Sequence, residues 1–145
     1  MPAGLLRRLG AMLYDGLLLQ ALLMVATALL LPLTGGEAIA PGTHPVLAFV
    51  YRGVLLLVVV GFFGLFWTQR GQTLGMAAWR LRVQRDDGRL LTWGDTVRRL
   101  AWSVVSLLPL GLGYLWILLD PARRAWHDRL SGTRVVVLPK ARDRP

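Results

Sequence analysis

The chain has 145 residues, of which 54% are hydrophobic, and it carries a formal net charge of +9 with no cysteine. This hydrophobic fraction leaves too little polar surface for a soluble domain of this size, so the composition favours an integral membrane protein. The absence of cysteine excludes disulfides and thiolate chemistry, and arginines that flank apolar runs set topology rather than bind nucleic acid, which we do not expect as a partner.

The first predicted element is a membrane-spanning helix that begins near Arg8. Residues 16–31 contain no charge, and residues 9–14 before them are also uncharged and mostly apolar. An apolar run of about 20 residues is long enough to cross the hydrocarbon core. Asp15 falls about 10 Å along the helix axis from Arg8 and on the same face. We therefore expect this carboxylate to be neutralised or paired within the membrane.

The second predicted element is a spanning helix over residues 46–67, interrupted only by Arg52. The preceding loop, residues 32–45, is rich in proline and glycine and contains no Lys or Arg. Because such loops lie on the non-cytoplasmic side, we expect the amino terminus to be cytoplasmic. Gly61 and Gly64 either let a neighbouring helix approach closely or are ordinary membrane-helix residues, and both interpretations stay open.

The segment of residues 68–99 contains seven arginines and three aspartates, which predicts a cytoplasmic location. Residues 81–91, with a turn at 86–88, alternate as a small β-hairpin does. A short amphipathic helix in the headgroup layer is predicted by four apolar residues at helical spacing, namely Leu74, Ala77, Ala78 and Leu81.

The third apolar stretch begins with Thr92 and Asp95 in the pattern of a helix start. Residues 100–119 are uncharged, but a proline and two glycines within residues 109–113 interrupt them. If the stretch spans the membrane once, a tail with seven cations lies outside the cell. If the interruption is the tip of a helical hairpin, both termini remain cytoplasmic. We favour the hairpin because it obeys the positive-inside rule.

In the tail, Asp120 before a proline predicts another helix start, and the valines of residues 134–138 predict a strand that could join the hairpin. The chain is thus predicted to be an all-α integral membrane protein. It would have two full transmembrane helices, a third and fourth helix as a hairpin, and a small cytoplasmic β-hairpin or strand element. Residues 1–138 would form one transmembrane domain and residues 139–145 a disordered tail.

Four segments of the chain form a specific combination: RLGAMLYD from Arg8 to Asp15, GQTLGM at residues 71–76, the valine-bearing residues 81–91 followed by Arg98 or Arg99, and HDRLSGTRVV at residues 127–136. Together they resemble the RDD family of small bacterial membrane proteins, named for one arginine and two aspartates. The resemblance covers roughly residues 5–138 and implies an inner-membrane protein, for which transport, and ion exchange in some members, has been proposed. Met76 stands where the family usually has a basic residue. By this resemblance, Arg8 corresponds to the family's arginine, Asp15 to its first aspartate and Asp128 to its second.

Two interpretations of Asp15 compete. It is either a protonatable carboxylate on an intramembrane path or one half of a helix-orienting salt bridge with Arg98 or Arg99. Asp128 could pair with Arg8 from the first helix or with Arg124 on its own helix.

The two pairs, Arg8 with Asp128 and Arg98 or Arg99 with Asp15, would form a clamp at one depth. We favour this clamp over a metal site at His127 and Asp128, with His127 and Asp120 as accessory residues. No metal or cofactor is expected.

The sequence contains no HExxH, GxSxG or Walker motif, so we do not expect an enzyme. One functional hypothesis is transport of a small solute or ion with Asp15 in the path. The other is a non-transporting adaptor whose basic cytoplasmic face contacts anionic lipid or a partner membrane protein. Besides the lipid bilayer, expected partners are a second copy or another membrane protein. The expected location is the bacterial inner membrane, multi-pass, with both termini cytoplasmic.

Overall fold

Two long helices dominate the computed structural model, which describes residues 2–139. Helix α1 covers Leu5–Leu30 and is followed by a 3-10 turn over Leu31–Thr34, and helix α2 covers Pro45–Gln69. Both are long and apolar enough to cross a membrane, which confirms the two predicted spans. Of the predicted disordered tail, residues 140–145 lie outside the described residues.

A small antiparallel sheet and two short helices cover one end of the spans, which we call the basic end. Helix α3 is Leu74–Ala78, strand β1 is Leu81–Arg85, helix α6 is Trp126–Leu130 and strand β2 is Thr133–Val137. In the sheet, β1 pairs with β2 so that Val83 lies opposite Val135. The predicted mostly helical fold with a small β element is therefore confirmed.

The predicted pairing of residues 81–91 as a β-hairpin is wrong. Strand β1 pairs with β2, and its other edge is occupied because Val83 N–H donates to the Gly71 carbonyl oxygen at 2.7 Å. Arg85 N–H donates to Arg89 O at 2.9 Å, which closes the turn without extending it into a second arm. The chain between β1 and the next helix is therefore a turn followed by a connection.

Helix α4, Trp93–Leu107, begins with the predicted capping box between Thr92 and Asp95. It is followed by the single-turn helix α5, Leu112–Leu115, and a 3-10 turn over Trp116–Leu118. The axes of α4 and of this second part differ by 106°. The predicted interruption is confirmed, but the fourth helix is only two short turns and does not run antiparallel to α4.

In the basic segments, the predicted helix start at Asp120 is wrong and the predicted extent of the amphipathic helix is too long. No helix of the described chain begins at Asp120, and the next one, α6, begins at Trp126. Helix α3 exposes Leu74, as expected for a helix in the headgroup layer, whereas Leu81 belongs to β1 and is buried. The apolar spacing therefore continued past the true end of α3.

The buried core lies at the basic end, where the spans meet the sheet. Its members are Ala3, Ala11, Trp67, Met76, Leu81, Val83, Leu91 and Val135. The remaining length of α1 and α2 exposes large apolar side chains, as lipid-facing helices do. Ala3 N–H donates to Val135 O at 3.2 Å, and Pro2 forms a bridge with Val136. Both ends of the described chain therefore lie together at the basic end.

Close helix contact involves Gly64 and not Gly61. A Cβ at Gly64 would lie 2.0 Å from the Trp93 ring at the start of α4, whereas one at Gly61 would have nothing within 4 Å. Gly64 thus allows α4 to pack against α2.

Candidate functional site

Asp128 is the centre of a buried ion cluster at the basic end. Arg8 Nη1 from α1 lies 2.5 Å from its Oδ2, and Arg99 Nη2 from α4 lies 2.6 Å from its Oδ1. Oδ2 also accepts the Ala125 N–H at 3.2 Å, which caps α6. Burial alone would raise the pKa of Asp128, but the Arg99 and Arg8 guanidinium groups hold that pKa well below its usual range. The carboxylate therefore stays ionised and joins three helices.

The two arginines of the cluster make further contacts that fix their orientation. Arg8 donates from Nε to Ala3 O at 3.3 Å and from Nη2 to Arg123 O at 2.9 Å. Arg99 donates to the Thr133 hydroxyl of β2 and lies 5.4 Å from the centre of the Trp67 ring. Because these donors are satisfied, the cluster is held as one unit.

The contact predicted between Arg8 and Asp128 is confirmed, and the alternative pair of Arg124 with Asp128 is wrong. Arg124 Nη2 instead lies 2.8 Å from Asp86 Oδ1. Arg98, predicted as part of the clamp, also lies elsewhere, with Nη2 at 3.0 Å from Asp95 Oδ1 and from Ser131 O. Of the two neighbouring arginines, only Arg99 points into the buried cluster.

The predicted salt bridge between Asp15 and Arg98 or Arg99 is wrong. Asp15 is buried, its Oδ2 accepts the Thr73 hydroxyl, and its Oδ1 accepts the Gly75 N–H at 2.9 Å. The carboxylate thus binds the first turn of α3, where neutral donors satisfy it and no guanidinium is needed.

This contact requires α3 to lie directly against α1. A Cβ on Gly75 would lie 2.3 Å from the Ala11 carbonyl oxygen and 2.9 Å from Asp15 Cγ. The same Thr73 hydroxyl accepts the Met76 N–H at 3.2 Å, so it caps α3 while it donates to Asp15. The GQTLG stretch is therefore more than a turn, because its threonine and second glycine form the binding partner of Asp15.

The two accessory residues lie in different places. His127 is buried, its Nε2 is 3.5 Å from Asp128 Oδ1, and its ring centre is 4.6 Å from that of Tyr114. Burial, with the nearby Arg99, lowers the pKa of His127 to about 3, so the ring is neutral at physiological pH. Asp120 lies apart from the cluster, where it pairs with Arg129 and accepts the Arg124 N–H at 2.7 Å. Within residues 2–139, no three His, Cys, Asp or Glu residues are grouped to hold a metal.

A cavity of about 180 Å³ connects the two aspartate environments. This volume corresponds to about six water molecules at liquid density, or to one small solute. Its walls are mainly apolar side chains of α1, α2, α4 and the sheet. The charged and polar residues that line it are Arg8, Asp15, Arg99, Ser103, Tyr114 and His127.

Sequence reasoning missed several residues of this site. Thr73 and Gly75 could have been found, because a Thr–X–Gly stretch before an apolar run is a helix start that offers a hydroxyl and a backbone N–H. Thr133 and Tyr114 gave no signal, since a single hydroxyl outside a motif indicates nothing about its neighbours.

The chain is similar to a known protein family over most of its length. A model of the RDD family matches residues 2–132, a range that contains Arg8, Asp15, Arg99 and Asp128. The chain matches no curated protein and no solved structure. The family match extends over far more than half of the sequence, and the protein therefore belongs to the RDD family.

Proposed function

We propose that this membrane domain carries a small solute or ion through the inner membrane, with the cavity as its binding chamber and Asp15 on the wall of the path. The observation that supports this proposal is that Asp15, Arg8 and Arg99 line one cavity among otherwise apolar walls. Ionisable groups inside a membrane domain are costly, and they commonly mark a pathway. We propose no enzymatic activity for this domain.

In this mechanism Asp15 controls the position of α3. As a carboxylate it accepts hydrogen bonds from Thr73 and Gly75, which hold α3 against α1. A proton on Asp15 converts one acceptor oxygen into a donor and weakens that hold. Movement of α3 would then open the cavity toward the basic end, so proton binding and solute passage are coupled.

The proposal predicts that Asp15→Asn abolishes flux while the protein remains folded. The amide keeps the size and an acceptor for the Gly75 N–H, but it cannot titrate. Purified protein in vesicles would be tested by stopped-flow light scattering and by a luminal pH dye, with sodium chloride, potassium chloride, urea and glycerol as probes. We expect wild-type flux of at least one probe to exceed that of protein-free vesicles, and the Asp15→Asn rate to fall to their level.

Asp87→Asn is the matched control, because this acid lies in the exposed turn after β1 and, among the described residues, its carboxylate contacts Arg89 alone. It should leave flux unchanged. Wild-type flux equal to that of protein-free vesicles for every probe would favour the adaptor hypothesis, in which the basic face binds anionic lipid or a partner membrane protein. Loss of the folded protein on Asp15→Asn would assign Asp15 a structural role.

We further propose that the basic end faces the cytoplasm, with both termini there. The pairing of Pro2 and Ala3 with β2 supports termini on one side, and the arginines of the basic end support the cytoplasmic side. A fluorescent protein fused after residue 145 should therefore fluoresce in cells, and alkaline phosphatase at the same place should be inactive. An active phosphatase fusion would contradict this orientation.

A further inference from the structure

Gln20 places a carboxamide near the middle of α1, where its side chain is exposed on the surface formed by α1 and α2. At 1.5 Å per residue it lies about 18 Å along the axis from Arg8, deep in the hydrocarbon region. Within residues 2–139 its side chain makes no hydrogen bond, although the nearby Thr27 hydroxyl bonds to Leu23 O at 2.8 Å and to Tyr51 OH at 2.9 Å. Lipid chains offer a carboxamide no hydrogen-bond partner, so this position is costly in a single copy.

Gln20 also lines a surface groove between the two spans, in the half of their length that is away from the basic end. The groove has a volume of about 380 Å³, and its α1 wall includes Gln20, Met24 and Thr27, with Tyr51 and Leu55 from α2. Spacings of four and seven residues form one stripe along a helix, which is the pattern of a seam between packed helices. The groove thus has the residue spacing of a helix-docking surface.

We propose that a second copy of this chain packs along this groove, with the Gln20 carboxamides of the two copies hydrogen bonded to each other. A carboxamide is both donor and acceptor, so it is complementary to itself across a two-fold axis parallel to the membrane normal. Each copy lies in the same membrane with the same orientation, which that axis requires. This dimer contact is separate from the proposed solute transport, and it does not depend on that transport.

Single-cysteine cross-linking tests the proposal cleanly, because the sequence contains no cysteine. Met24→Cys places a thiol in the groove, on a side chain that is 62% exposed, and Leu22→Cys is its control, 42% exposed at nearly the same depth. The two positions are separated by about 160° around the helix. In native membranes, oxidation should cross-link Met24→Cys into a dimer of twice the chain mass, at about five times the yield of Leu22→Cys or more.

Gln20→Leu in the Met24→Cys background then tests the carboxamide. Gln20 is exposed, so leucine there does not disturb the packing of a single copy, and we expect the cross-link yield to fall about fivefold. Three outcomes would overturn the proposal: equal yields for Met24→Cys and Leu22→Cys, an unchanged yield with Gln20→Leu, or an adduct whose mass is not twice that of the chain. The last result would mean that another membrane protein fills the groove.

Discussion

Replacement of Asp128 by asparagine is expected to cost about 3–5 kcal/mol in the free energy of unfolding, the effect of removing one partner from a buried ion pair. The side chain is fully buried and faces both Arg8 and Arg99. Asparagine has nearly the same shape, yet it leaves two guanidinium groups beside each other without a counter-ion. We expect little folded protein in detergent at 37 °C, measured by thermal unfolding and by the monodisperse fraction on gel filtration.

Two comparisons separate this effect from a general loss of charge. Asp87→Asn removes an exposed acid and should change the free energy of unfolding by less than about 0.5 kcal/mol. In the Asp128→Asn background, Arg8→Met should cost at least about 1 kcal/mol less than it does alone, because the two residues interact directly. If Asp128→Asn unfolds like the wild type, the cluster does not stabilise the fold.

The membrane spans and the start of α4 could be predicted from the sequence because they depend on local properties. An uninterrupted apolar run of sufficient length has few alternatives to a spanning helix, and the Thr92–Asp95 capping box forms within one turn. The sequence predicted that the strand at residues 134–138 could join β1, and this pairing is confirmed, but it did not show that the second arm of the hairpin is absent. Both β2 and the segment after the turn offered apolar residues, and the choice depended on Gly71, which occupies the opposite edge of β1.

The ion cluster was predicted in part. The pairing of Asp128 with Arg8 was correct, whereas the arginine partner assigned to Asp15 was wrong, and the donors around each aspartate explain the difference. Within residues 2–139, the hydrogen bonds from neutral donors to the Asp128 carboxylate come down to one backbone N–H, so charge pairing decides its partners, and the contact with Arg8 followed from matching charges. Asp15 was assigned an arginine by the same logic, but a hydroxyl and a backbone N–H satisfy it instead. Backbone donors are the same at every position of a sequence, so only the fold identifies the one that a carboxylate uses.

The bend between α4 and α5 places Tyr114 beside both the ion cluster and the cavity. At Leu110 and Gly111 the backbone has positive φ, 53° and 78°, and the chain returns toward α4, where Gly113 packs on Ser106. This return brings Tyr114 to His127 and to the wall of the cavity. A straight helix would have carried Tyr114 away from the ion cluster, so the bend completes the chamber.

The second large effect is expected from Gly75→Ala, a change of one methyl group. The new Cβ would lie 2.3 Å from the Ala11 carbonyl oxygen, a backbone atom that cannot rotate aside. Helix α3 must move away from α1, and Asp15 then loses its N–H and hydroxyl donors while it remains buried. Overpacking and unsatisfied buried groups together predict a loss of about 2–4 kcal/mol in the free energy of unfolding.

Gly61→Ala is the matched control for this substitution. Its Cβ would meet nothing within 4 Å, and alanine is the better helix former, so the protein should be unchanged or more stable by up to about 1 kcal/mol. Chemical denaturation of the purified protein in detergent measures both variants. If Gly75→Ala is as stable as Gly61→Ala, α3 does not lie against α1, and the proposed control of the cavity by Asp15 fails with it. If Gly75→Ala is folded but destabilised, its solute flux should differ from that of the wild type, because the mechanism makes the position of α3 decide whether the cavity is open.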